Sequence, residues 1–329
     1  MKNNRLRDFF PMLKTRNEIM EIIEGSSRLK STFYSWSEGA REEFLCFCTG
    51  QRGIKILYDS FFKEVFNPEY SPERLNALIS VILGMRVRII QVLPLDSSRM
   101  GDETSLVTMD IVVELEDKSI VNIEIQKIGY YFPGERSACY SSDLLLRQYK
   151  RIRDKSKNFT YNMVKPVYTI VFFEESPTVF HEFPNDYIHF FKQQSDTGLS
   201  MELLQRYVFI PLDIFKNVGN NDDSELSAWL TFLSSDDPDV ILELIEKHPE
   251  FKPLYDTLFG LCENVEGVMN MFSKELFEMD KNTAQLMVDD MSRQITQLKS
   301  FVAEKDNVIA ERDKHIAELM SKIKELEGN

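Results

Sequence analysis

Seven consecutive residues, Val167-Tyr-Thr-Ile-Val-Phe-Phe173, carry no charge and are rich in β-branched and aromatic side chains. A run of that length, opening after Pro166, is too short for a core helix and reads as a buried strand. Burying it takes a sheet with helices packed on it, and the chain supplies both kinds of element in mixed order. Val87 to Leu93 (stopped by Pro94), Leu106 to Leu115, Ile120 to Ile128 and Tyr207 to Leu212 have strand character. Ile54 to Phe66 (ended by Asn67-Pro68), Pro72 to Leu83 and Glu135 to Arg153 have helical spacing. The expected class is α/β.

A chain of 329 residues at 43% hydrophobic has room for one such core and for helical additions. Residues 1–52 read as an N-terminal helical cap, with Thr15 or Asn17 as helix starts and breaks at Gly25-Ser26-Ser27, Gly50 and Gly53. The sheet falls within 53–217. Residues 218–282 read as an acidic helical subdomain, in which Asp236-Asp237-Pro238 is a helix-start signal.

From 283 to 329 the period changes. Val288, Ile295, Val302, Ile309, Ile316 and Ile323 alternate at 3-4 spacing with Met291, Leu298, Lys305, Arg312, Leu319 and Leu326, which is the pattern of a coiled coil. β-branched residues at the first core position favour a parallel homodimer along a rod of about 58 Å. A helix folded back on its own core is the alternative.

Several classes drop out. No 18 apolar residues run together, and the charged N-terminus leads into no signal-peptide stretch, so a soluble, unprocessed cytoplasmic protein without a membrane partner is expected. Cys46, Cys48, Cys139 and Cys262 form no C-x-x-C pair, and the four histidines form no H-x-x-x-H. Neither a zinc site nor a disulfide frame is therefore expected, and no small-molecule cofactor. The net charge of −14 argues against nucleic acid until it is located along the chain. Residues 221–280 hold fifteen acids against three lysines, giving −12, whereas 127–165 hold nine bases against three acids, giving +6. Local charge decides what binds.

The chemistry is expected on the hairpin of Asp110–Leu115 and Val121–Gln126. Alternation puts Ile111, Val113, Leu115, Val121, Ile123 and Ile125 on one face and Asp110, Asn122, Glu124 and Gln126 on the other. A three-residue turn at Glu116-Asp117-Lys118 sets Asp110 opposite Glu124, with Cβ atoms about 4.5–5.5 Å apart. Two carboxylates so placed repel, and a hard divalent cation such as Mg²⁺ or Mn²⁺ relieves the repulsion. A half-exposed hairpin also carries polar residues on its outer face simply because water is there. Spacing alone does not separate the two readings.

Asp110, thirteen intervening residues and Glu124-Ile125-Gln126 resemble the D…(D/E)-x-K signature of restriction-endonuclease-like nucleases, with Gln in the lysine place. Asp59-Ser-Phe-Phe-Lys63-Glu-Val-Phe66, Asn122-Ile-Glu-Ile-Gln126, Arg136-Ser-Ala-Cys-Tyr140, Gln148 and Lys165-Pro-Val-Tyr-Thr-Ile170 resemble the PD-(D/E)XK nuclease family transposases, related to recombination-promoting nucleases, over roughly residues 8–290. The resemblance implies a mixed sheet flanked by helices. It also implies metal-dependent DNA cleavage in a recombination, mobile-element or defence setting. Asp110 and Glu124 are then metal ligands, with the Ile125 carbonyl a third, and Asp110, Glu124 and Gln126 form the catalytic set. Gln126 supplies no positive charge, and strand parity aims Lys127 at the opposite face. Asp59, Lys63 and Glu64 are supporting candidates, although Lys63 is equally a solvated helix residue. No set of acids fits a strand-transfer transposase.

Arg136, Tyr140, Asp143, Arg147 and Arg151 fall on one stripe of the following helix, with Lys150 beside it. Ala138, Leu145, Tyr149 and Ile152 are free to pack inward. With Gln148, the basic and aromatic members of the stripe are the DNA-binding candidates, since phosphate contacts carry affinity. A solvated face paired with, or shielded by, the acidic 221–280 segment is the other reading. The same fold used as a non-catalytic DNA-binding scaffold, dimerised by its coil, is the alternative function.

Overall fold

The computed structural model describes residues 5–93, 110–127, 133–218 and 222–327. Pro94, the expected strand segment 106–109 and Ile128 lie outside them. Two compact units are found, 1–278 and 279–329.

The first unit opens with α1 (Arg5–Phe9), α2 (Arg16–Glu24), α3 (Ser27–Ser35), α4 (Glu38–Cys48), α5 (Asp59–Val65) and α6 (Pro72–Leu83). Thr15, not Asn17, starts α2, in a reciprocal capping box with Glu18. Strands β1 (Ile89–Val92), β2 (Ile111–Leu115) and β3 (Ile120–Gln126) follow, then the long α7 (Pro133–Lys155). After it come β4 (Val167–Phe173), β5 (His189–Lys192), β6 (Gln205–Pro211) and α8 (Leu212–Val218). The remaining helices are α9 (Glu225–Ser234), α10 (Pro238–Lys247), α11 (Lys252–Gly260) and α12 (Val265–Glu327). Asp237 caps α10, with Pro238 in its first turn.

The six strands form one mixed sheet in the order β1-β2-β3-β4-β6-β5. β4 lies inside the sheet, parallel to β3 and β6, with both faces covered and all seven of its residues buried. Antiparallel strands close the edges. β5 is a short, exposed edge strand without an alternating pattern, and the sequence reading misses it.

The β2–β3 turn is the three-residue kind, with Lys118 in the left-handed region at φ 73°. Asp117 Oδ1 fastens it by accepting from the Ser119 N–H at 2.9 Å and from the Ser119 hydroxyl at 2.5 Å. The turn fixes the register, setting Ile111 opposite Ile123, Val112 opposite Asn122 and Val113 opposite Val121.

One sheet face, with Ile111, Val113, Val121, Ile123, Ile170 and Ile210, belongs to a core that takes in residues from Leu6 to Phe272. The Phe10 and Phe259 rings meet in it at 4.6 Å. Buried residues of α1–α4 and of α9–α12 therefore join one core. On the other face, Tyr140 and Leu144 of α7 pack on Leu93, Val112, Ile120 and Val167. Ile214 of α8 packs there on Val171, Phe173 and Phe209. The sheet thus stands between α7 and α9–α11, which join the cores on its two faces.

The second unit is the remainder of α12. Val288, Ile295, Val302, Ile309, Ile316 and Ile323 are exposed along it. Among the described residues no helix is long and apolar enough to cross a membrane.

Candidate functional site

β3, β4 and β6 end level with one another, and parallel sheets offer ligand sites outside the carboxyl ends of their strands. β2 runs the other way, so Asp110, just before its first residue, arrives at the same end. One step past the Ile111–Ile123 pair, Asp110 comes opposite Glu124, and its Oδ2 accepts the Ile125 N–H at 2.8 Å. The N–H and C=O of an extended residue leave the strand on one edge, so the Ile125 carbonyl faces the edge from which Asp110 reaches in. Glu124 is 3% exposed and accepts from Asn122 Nδ2 at 2.9 Å. Gln126, on the same face and also 3% exposed, keeps a buried Oε1 with no hydrogen-bond partner.

This is not the open face of a half-exposed hairpin. All five β2 residues are buried, α7 packs on this face of the sheet through Tyr140 and Leu144, and Asn122, Glu124 and Gln126 are themselves buried. Two further oxygens under α7, Asn122 Oδ1 and Thr169 Oγ1, neighbours in the β3–β4 register, are buried without a hydrogen-bond partner. The Asp110 side chain retains 22% exposure and marks the way in.

From the other side α5 brings a cation. Lys63 Nζ lies 2.8 Å from Asp59 Oδ1 and 3.8 Å from Asp110 Oδ1. Glu64, by contrast, is exposed and outside this group. Lys127 sits on the opposite face from Gln126, over the Tyr58 ring at 5.2 Å and paired with Glu275 of α12, which is 1% exposed. Glu275 Oε2 also accepts the first N–H of α5, from Asp59, at 2.9 Å. Glu275 stands far from the hairpin in sequence, and no local pattern in the chain points to it.

The electrostatics follow from this crowding. Burial, then the Asp59 carboxylate, pushes Asp110 up to about 6, against the Ile125 N–H and the charges of Lys63 and Lys127. Burial, then Asp110, holds Glu124 well above the usual carboxylate range, with the Asn122 hydrogen bond and Arg136 pulling the other way. Burial works against charged Lys63, yet the Asp59 hydrogen bond and the Asp110 and Glu124 carboxylates outweigh it and raise its pKa. Burial pushes Lys127 down to about 8, against the carboxylates of Glu174, Asp59, Asp110 and Glu278.

Among the described residues no three His, Cys, Asp or Glu side chains form a closed metal cluster. What is present fits an open site: two carboxylates that resist ionising together, and the orphaned Gln126 oxygen beside them. Mg²⁺ characteristically takes one or two carboxylates and completes its shell with water and substrate phosphate.

The α7 candidates divide. Arg136, in the first turn, is exposed, with its guanidinium 5.1 Å over the Tyr140 ring. Tyr140, expected on the outer stripe, and Gln148, a DNA-binding candidate beside it, are both buried toward the sheet instead. Gln148 Nε2 donates to the Lys118 carbonyl at 3.4 Å and its Oε1 accepts the Lys165 N–H at 2.6 Å, fastening α7 to the hairpin turn and to the entry of β4. Arg147 pairs with Asp143 at 2.7 Å, and Arg151 with buried Glu114. Lys150 is exposed. The inward face consists of Ser137, Tyr140, Ser141, Leu144 and Gln148, because the strands beneath present polar Asn122 and Thr169.

Where β4 and β6 end, Ser176 Oγ and His181 Nε2 both approach Asp213 Oδ2, at 2.9 and 3.1 Å. One histidine nitrogen faces both partners, so no third group orients it as a base, and the trio makes no nucleophile relay.

Comparison with curated proteins and with solved structures gave no match. A family model, that of the PD-(D/E)XK nuclease family transposases, matches residues 56–287. That span covers more than half of the chain and every residue of the site from Asp59 to Glu275, and the chain therefore belongs to the PD-(D/E)XK nuclease family transposases.

Proposed function

We propose that this chain is a divalent-cation-dependent DNA endonuclease that hydrolyses phosphodiester bonds. The observation that carries the reading is Asp110 standing opposite Glu124, both with raised pKa, beneath a helix that carries Arg136 in its first turn. Asp110, Glu124 and the Ile125 carbonyl are the groups to hold Mg²⁺ or Mn²⁺. Such an ion supplies Lewis acidity toward the phosphodiester and a more acidic water.

The chain's own groups do the rest. The Ile125 N–H orients the Asp110 carboxylate, and Asn122 orients Glu124. Gln126 offers an amide and no charge, so the positive charge of the motif's lysine comes from elsewhere. Lys63 is the cation placed for it, kept protonated by Asp59 and Asp110. Arg136 and Lys150 hold phosphates along α7. The exposed heptad stripe of α12 pairs with a second copy in a parallel coiled coil, which puts two active sites in one assembly, one for each strand.

Gln126 in the lysine position favours a second reading, a DNA-binding scaffold that no longer cuts. Supercoiled plasmid with Mg²⁺ or Mn²⁺ decides between them. Nicked and linear products that vanish in EDTA are expected. Bound but uncut plasmid under every divalent ion would leave only the scaffold.

A further inference from the structure

About 20 Å along α7 from Arg136, at 1.5 Å per residue, the helix reaches Tyr149 and a second surface of different character. Three rings cluster where the chain leaves α7 and turns toward β4. Tyr149 and Tyr161 are stacked, with centroids 6.1 Å apart and planes 7° from parallel. Phe159 meets both edge-on, at 5.4 and 5.2 Å. Tyr149 and Phe159 are half-buried, and anchoring this loop accounts for them. Tyr161 is 77% exposed, so anchoring does not explain why the outermost ring is aromatic.

The charge around the rings is one-sided. Residues 147–165 hold seven bases against one acid, Asp154, in a protein of net charge −14. Lys150, Arg153, Lys155 and Lys157 are exposed, and the Arg153 guanidinium lies 5.7 Å over the Tyr149 ring. An exposed ring among cations is what an unpaired strand requires: a base stacks on the ring while the cations follow the backbone. Paired DNA offers its phosphates but no free base face. A lipid surface would use the cations and leave the parallel ring pair without a role.

Resting on the nuclease reading for the duplex end of α7, we propose that Tyr161 and the surrounding cations form a platform for single-stranded DNA. The preferred substrate is then a duplex with an unpaired flank. At 3.4 Å per base pair the length of α7 between Arg136 and Tyr149 corresponds to about six base pairs, which sets the spacing between the duplex contact at Arg136 and the junction.

The test uses the full-length protein in EDTA, titrated into labelled blunt duplex and into the same duplex carrying a tail of about ten thymidines. Wild type is expected to bind the tailed DNA about tenfold more tightly. Tyr161→Ala is expected to lose that advantage and to change blunt-duplex affinity less than about twofold, while Tyr161→Trp keeps it. Equal binding of the tailed duplex by wild type and Tyr161→Ala would overturn the platform, as would tighter binding of an RNA tail. Cleavage of plasmid without tail preference removes the platform and keeps the nuclease, and tail preference without cleavage does the reverse.

Discussion

Asp110→Asn is expected to lower cleavage on the order of 10³-fold, the scale of removing several kcal/mol of metal-derived stabilisation. The same change should stabilise the metal-free protein. Asp110 titrates near 6 in the folded chain and near 3.9 when unfolded, so the folded state binds the proton more tightly. Stability contributed by this group is present below about pH 4, falls as pH rises from 4 to 6, and stays lost above that. Asn does not titrate and still accepts the Ile125 N–H. With the side chain 22% exposed, the full linkage is discounted for solvent screening to a gain of about 2 kcal/mol at pH 7, vanishing below pH 4. Urea unfolding at the two pH values, with and without Mg²⁺, measures this. A variant that is inactive and also less stable at pH 7 would mean that Asp110 serves the fold.

Glu275→Ala is expected to cost about 3–5 kcal/mol, because it leaves the Lys127 charge buried without its partner. It also removes the acceptor of the first N–H of α5, the helix that carries Asp59 and Lys63. Cleavage should therefore fall even under conditions where the variant is folded. The double change Glu275→Leu with Lys127→Met removes both charges and should recover most of the stability, since the penalty comes from the unpaired charge. It does not restore the acceptor for α5. Urea midpoints at unchanged slope report the first effect and plasmid nicking the second. A Glu275→Ala protein as stable as wild type would show that the pair is not buried in solution.

Much of this architecture is written in local pattern. Val167–Phe173 announces a central strand because only a middle strand tolerates seven uncharged residues. The Glu116-Asp117-Lys118 turn and the period of two bring Asp110 to Glu124, since a three-residue turn leaves one register. What local pattern does not carry is which face meets which. Apolar Leu145, Tyr149 and Ile152 suggest the inner face of α7, yet the residues that turn to the sheet are Ser137, Tyr140, Ser141, Leu144 and Gln148, and Gln148 fastens the hairpin turn and the entry of β4. An amphipathic helix declares that it has an inner face and not what that face meets. For the same reason the sequence reads α9 to α11 as a subdomain, and does not show that their apolar residues join one core with those of the N-terminal cap. Lys63 enters through the family resemblance and not through local pattern, and only the assembled fold shows Glu275 bracing Lys127 and the start of α5.

The proposed chemistry requires one hard cation between two carboxylates on neighbouring strands. Calorimetric titration of Mn²⁺ into metal-free wild type, Asp110→Asn and Glu124→Gln measures this without DNA. Wild type should bind one ion, and each variant should weaken that binding at least about tenfold. Identical isotherms for all three proteins would contradict it.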